Sequence, residues 1–192
     1  KRLNEIGQSD YLMSEANGRD VVTAKLPLNL QYPNVKIGKQ AHNQTIKLHK
    51  YMTPDLDYLI GLIVSEGFYN DSRVNVTNCD AKLIDASETL FKSIFGLRTT
   101  TRLTAKAGTI IGDHHYPLKQ DRYDVSANGK LIVDVLKQLG LSNYTDGELR
   151  ASHFKVVPWS ILEADKESQL AFLAAYIDGD GSVVVNNKAA AG

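Results

Sequence analysis

The chain has one cysteine, Cys79, among its 192 residues. A lone thiol excludes an internal disulfide framework and a cysteine zinc site, and it points to a reducing compartment. Long apolar runs are missing as well. None reaches the roughly 18–20 residues that a membrane-spanning helix needs, and no signal-peptide pattern opens the chain. There is no net charge to speak of, since 22 basic residues balance 22 acidic ones. Neither a phosphate-binding P-loop nor a dinucleotide fingerprint is present. The five histidines (His42, His49, His114, His115 and His153) lack metal-ligand spacing and read as loop residues. Cys79 and Ser160 have no local base partner, so nothing supports nucleophilic catalysis. Gly179-Asp180-Gly181 lacks the alternating oxygen ligands of a calcium loop.

What remains is ordinary for a globular protein: 43% apolar and 23% charged residues. The length suits one large domain, or one domain with a smaller arm. Lys1 at the start and Ala189-Ala190-Ala191-Gly192 at the end look like cut edges. Charge is uneven along the chain. Residues 1–50 hold eight Lys or Arg against four acids, and residues 98–123 hold Arg98, Arg102, Lys106, Lys119 and Arg122 against Asp113 and Asp121. Local basic surface of this kind is what phosphate contact requires.

Residues 1–50 have weak periodicity, interrupted by Pro27 and Pro33. They read as a short helix near 2–16 followed by extended segments, the last at Thr45-Ile46-Lys47-Leu48. Thr53-Pro54-Asp55 then carries the start signals of a helix: a hydroxyl cap, proline at the first position and an early acid. That helix runs through Tyr58-Leu59-Ile60-Gly61-Leu62-Ile63-Val64 and stops near Gly67. The alternation in Arg73-Val74-Asn75-Val76-Thr77 predicts a half-buried strand. Asp80 caps a helix to about Phe95, with Leu83, Ile84, Leu90 and Ile94 on one stripe. Strands are expected at 98–111 and 121–127, then a helix from Gly129 to Leu139 ended by Gly140. A last helix carries Leu170 to Ile177. The layout is α+β, and it restarts.

The restart is the informative feature. Tyr58-Leu59-Ile60-Gly61-Leu62-Ile63-Val64-Ser65-Glu66-Gly67 aligns with Phe172-Leu173-Ala174-Ala175-Tyr176-Ile177-Asp178-Gly179-Asp180-Gly181. Each copy has small residues four apart, Gly61 with Ser65 and Ala175 with Gly179. On a helix these share a face, so two such helices can approach closely. An acid and then a glycine follow in each copy. In a parallel pair, Glu66 and Asp180 converge at the C-terminal end of the seam, where the helix dipoles add partial negative charge. Two acids so placed suit a hard cation such as Mg²⁺, which could activate water for phosphodiester hydrolysis.

These segments resemble the paired motifs of the LAGLIDADG homing endonucleases, and the resemblance covers about residues 50–185. It implies metal ligands at Glu66 and Asp180, with Mg²⁺ or Mn²⁺ as cofactor. It implies an αββαββα half-unit over 51–160, after an arm or linker at 1–50, and the second motif helix with the start of a truncated second half over 161–192. The strands would form half of a mixed or antiparallel saddle-shaped sheet on double-stranded DNA, reached by Arg73, Asn75, Thr77, Arg102, Thr104, Lys106, Lys119 and Arg122. His153-Phe154-Lys155-Val156-Val157-Pro158 resembles the Lys-x-Ile-Pro segment of intein-borne members, which makes Lys155 the catalytic lysine. The expected activity is therefore site-specific, metal-dependent DNA cleavage by an intein-associated enzyme. The alternative in the same family is a DNA-binding protein without cleavage, or an RNA maturase. Two motifs in one chain suit a monomer, in the cytoplasm of a prokaryote or archaeon or encoded by a phage, with no membrane contact. The chain departs from the family in ending soon after Asp180 and in showing no splicing residues.

Overall fold

The computed structural model describes residues 25–28, 30, 46–47, 49–112, 116–141 and 156–181. The expected helix near 2–16 and most of the N-terminal arm lie outside the described residues. So does Lys155.

Helix α1 spans Pro54–Glu66. Thr53 caps it as its sequence requires: Leu56 N donates to Thr53 Oγ1 at 3.3 Å, and Pro54 takes a position where its missing N–H costs nothing. The chain turns directly into strand β1, Gly67–Asn70, which pairs antiparallel with β2, Arg73–Asn78. The strand expected at Arg73-Val74-Asn75-Val76-Thr77 is the second arm of this hairpin. Asn70 Oδ1 accepts from the backbone of both Ser72 and Arg73 and holds the turn.

Helix α2, Ala81–Phe95, begins at the expected cap, where Asp80 Oδ1 accepts from Lys82 N at 2.8 Å. It ends at Gly96, whose φ of 70° is the left-handed conformation a terminating glycine supplies. Strand β3, Thr99–Ala105, is shorter than expected, because a turn containing Gly108 at φ 87° follows it. Strand β4, Arg122–Asn128, is followed by helices α3 (Lys130–Gln138), α4 (Trp159–Leu162) and α5 (Lys166–Asp180). The single turn of α4 had no counterpart in the sequence reading.

The sheet has four strands in the order β1-β2-β4-β3, every neighbouring pair antiparallel. Its inner face carries Val74, Val76, Val125 and Ala127, all buried against the helices. Met52, Leu56, Leu59, Ile60, Phe91, Phe95, Ile132 and Leu136 complete one continuous core. Among the described residues no helix is long and apolar enough to cross a membrane.

Candidate functional site

The two repeated segments pack on each other. A Cβ added at Gly61 would stand 2.6 Å from Phe172 O and 2.7 Å from Ala175 Cβ. One turn further on, a Cβ at Gly179 would overlap Ser65 Oγ. Gly61 to Ala175 and Ser65 to Gly179 are equal steps in sequence, so α1 and α5 run parallel and in register. The small residues therefore do what their spacing predicts: they let two backbones come close where any larger side chain would hold them apart. Ser65 turns its hydroxyl back onto its own helix, donating to Gly61 O at 3.0 Å, so its polarity is satisfied inside the seam.

The glycines after the acids have a steric cause as well. Both caps are extended, at φ −100°, ψ 165° for Gly67 and φ −76°, ψ 154° for Gly181. Gly181 N still donates to Ile177 O at 2.8 Å. A Cβ on Gly67 would stand 2.6 Å from Ile63 O, and one on Gly181 would collide with Ile177 O. The two helix ends are thus built alike.

Glu66 and Asp180 are the last residues of their helices and lie at the same end of the seam. Glu66 is half-buried, and its Cγ would lie 2.9 Å from a Cβ on Gly179, the neighbour of Asp180. Asp180 is exposed, and neither helix has a basic residue in its last turn. A second tie crosses the seam, because Tyr58 Oη donates to Asp178 Oδ2 at 2.7 Å. Partial burial, and then this carboxylate, push the Tyr58 phenol up to about 12. Among the described residues no group of three or more His, Cys, Asp or Glu converges to hold a metal.

The residues expected to reach outward from the sheet divide. Arg73, Arg102 and Thr104 are exposed on the strands, and Lys106 and Lys119 are exposed in the loop region beyond β3. Thr77, Asp124 and Arg102 form one cross-strand row, with Thr77 Oγ1 donating to Asp124 Oδ1 at 2.7 Å. Thr104 Oγ1 is turned to Arg122 O at 3.0 Å. Asn75 departs from expectation: it is only 2% exposed. Alternation along β2 puts it on the outer face, but that position is covered, so it cannot read a base edge. Arg122 is half-buried, with its Nε shielded from solvent.

No family model matches the chain. Two curated proteins do. The ribonucleoside-diphosphate reductase NrdEB subunit alpha of Bacillus subtilis (strain 168) is 28% identical over 180 residues, which is 90% of this chain and 15% of that protein. The corresponding subunit of Bacillus phage SPbeta matches to the same extent. The relatives are reductase subunits. The chain spans about a seventh of their length.

These names overturn the endonuclease reading. The relatives are not described as homing endonucleases or inteins, nor as DNA hydrolases, inactive DNA-binding proteins or RNA maturases. The physical reason for the error is that the repeat encodes a packing geometry. Small residues four apart let two helix backbones approach and a glycine lets the helix end in an extended turn, whatever chemistry stands beyond. The sequence reading also missed the buried acid Asp57, which stands just ahead of the apolar run that begins at Tyr58. A carboxylate set between Leu56 and Tyr58-Leu59-Ile60 was the signal for it.

Proposed function

We propose that the chain is an accessory α+β module of a ribonucleoside-diphosphate reductase alpha-type polypeptide, and that it does not carry the reduction itself. The observation that carries this reading is the match over 90% of the chain to proteins so named, of which it covers 15%. The chemistry agrees. A thiol-based two-electron reduction consumes two thiols, and this chain has only Cys79, which is half-buried. Such a module would work in the bacterial cytoplasm, where that thiol stays reduced.

The working end of the module, in this reading, is the carboxylate pair at the seam. Glu66 and Asp180 offer hard oxygen donors, and Mg²⁺ is commonly held by one or two carboxylates with water completing the shell. When bound, the cation would neutralise two acids and two helix C-termini and offer a charge for a phosphate. The exposed Arg73, Arg102, Lys106 and Lys119 support a polyanion, duplex DNA included, as partner of the outer sheet face. Asp124, opposite Arg102, weakens that face for phosphate.

We also infer that α5 opens a second α/β layer. Leu56, Leu59, Leu62 and Ile63 of α1 are buried, whereas their repeat partners Leu170, Leu173, Tyr176 and Ile177 are 55%, 49%, 40% and 47% exposed. Apolar residues so disposed are fit to be covered by a surface like the inner face of the present sheet.

The test uses the full-length Bacillus phage SPbeta subunit with the matched 180 residues deleted. Retained reduction of ribonucleoside diphosphates by a folded deletion variant supports an accessory module. Loss of activity, with folding and assembly intact, places the segment in the reductase machinery and rejects the proposal.

A further inference from the structure

Asp57 sits in the first turns of α1 and is fully buried. Among the described residues, neither of its carboxyl oxygens has a hydrogen-bond partner. The element packed on that side is the start of α5. There Asp165, also buried, caps the helix, its Oδ1 accepting from Ser168 N at 3.0 Å. The Ser168 hydroxyl is buried and lies near enough to Asp57 to favour its ionised form, yet it makes no fully formed hydrogen bond. Charged groups on the surrounding helices include the exposed Asp55 on α1, Lys82 and Asp85 on α2, Glu163 at the end of α4, and Lys166 and Glu167 in the first turn of α5, with Glu66, Asp178 and Asp180 at the far end of the seam. Two buried acids therefore lie near the N-terminal end of the seam, the charge of Asp165 close enough to disfavour an ionised Asp57.

A buried carboxylate without partners is costly, whereas a buried neutral carboxyl costs far less. We propose that Asp57 and Asp165 form a protonation-sensitive clasp, closing the N-terminal end of the α1–α5 seam while Asp57 holds a proton and loosening it when Asp57 ionises. This goes beyond the module reading and does not depend on it.

Burial, the largest cause, drives the Asp57 carboxyl up to about 7; Ser168 opposes this, and the nearby Asp165 charge adds to it. In the unfolded chain the same group ionises near 3.8. Folding takes up a proton between those values, so this contribution is whole below the unfolded value and is lost as pH rises through the folded one.

The experiment is thermal unfolding of the full 192-residue chain from about pH 5 to about pH 8.5, with Asp57→Asn beside it. The wild type is expected to lose Tm across this range, while Asp57→Asn stays flatter and melts higher at the alkaline end. Amide protection factors in the first turn of α5 should fall above neutrality in the wild type alone. Parallel Tm profiles for the two proteins would overturn the proposal. Should Asp57→Asn not fold, the carboxyl carbon resonance of wild-type Asp57 decides. A midpoint near neutrality supports the clasp, and one at the usual aspartate value rejects it.

Discussion

Gly179 faces Ser65 across the α1–α5 seam with no space for a methyl group between them: a Cβ on Gly179 would overlap the Ser65 hydroxyl and stand 2.9 Å from Glu66 Cγ. Closeness at this point sets how near the two terminal acids lie.

Gly61→Ala and Gly179→Ala test that closeness. Alanine is the better helix former by about 1 kcal/mol. At Gly61, however, the new methyl meets the Phe172 carbonyl at 2.6 Å, a backbone atom that cannot rotate away. Overpacking of this kind costs about 1–3 kcal/mol, so each variant should lose net stability in urea unfolding. An increase in midpoint would mean that the seam is looser than described.

Gly96→Ala probes a different requirement. Among the described residues nothing lies within 4 Å of a Cβ there, but φ is +70°. The expected loss is therefore roughly 1–2 kcal/mol of backbone strain, read from the same unfolding curve. Gly96→Asn should recover part of it, since asparagine tolerates the left-handed region.

Phe91→Ala removes a fully buried ring from the core beneath the sheet. Such truncations cost about 3–5 kcal/mol, a large share of the stability of a domain of this size. Chemical denaturation should show a folded state that is barely populated, or none.

Calorimetric titration with Mg²⁺, and with Mn²⁺, checks the proposed cation at Glu66 and Asp180. Glu66→Gln and Asp180→Asn should each weaken binding by roughly tenfold or more, because each removes one of the two charged donors proposed for the site. Equal affinity in wild type and both variants would dismiss the site and leave the fold untouched.

Much of the local structure was legible in the residues themselves. Thr53-Pro54 and Asp80 announce the starts of α1 and α2, because N-caps are decided by side chains a few positions from the backbone groups they satisfy. The valine alternation in β2 likewise placed Val74 and Val76 inward. The short helix α4 was not legible, since four residues are too few to show a period. Asn75 was misplaced for a related reason: alternation assigns a face, but only the surroundings decide whether that face is wet.

The sequence by itself determined an α+β chain with a repeated small-xxx-small, acid-glycine helix, and hence two helices able to approach closely; that they run parallel came from the packing of Gly61 on Ala175 and Ser65 on Gly179. Helical period, cap chemistry and the bulk of side chains are short-range properties, and they survive without knowledge of the rest of the fold. Tertiary structure decided that Asp57 is entombed beside Asp165, that Tyr58 reaches Asp178, and that the apolar face of α5 stands open while that of α1 is covered. Those outcomes depend on contacts between segments more than a hundred residues apart, and no local pattern records which distant groups will meet. The function assigned from the motif failed for the same reason: the pattern constrains how two helices touch, while chemistry depends on what else gathers around their ends.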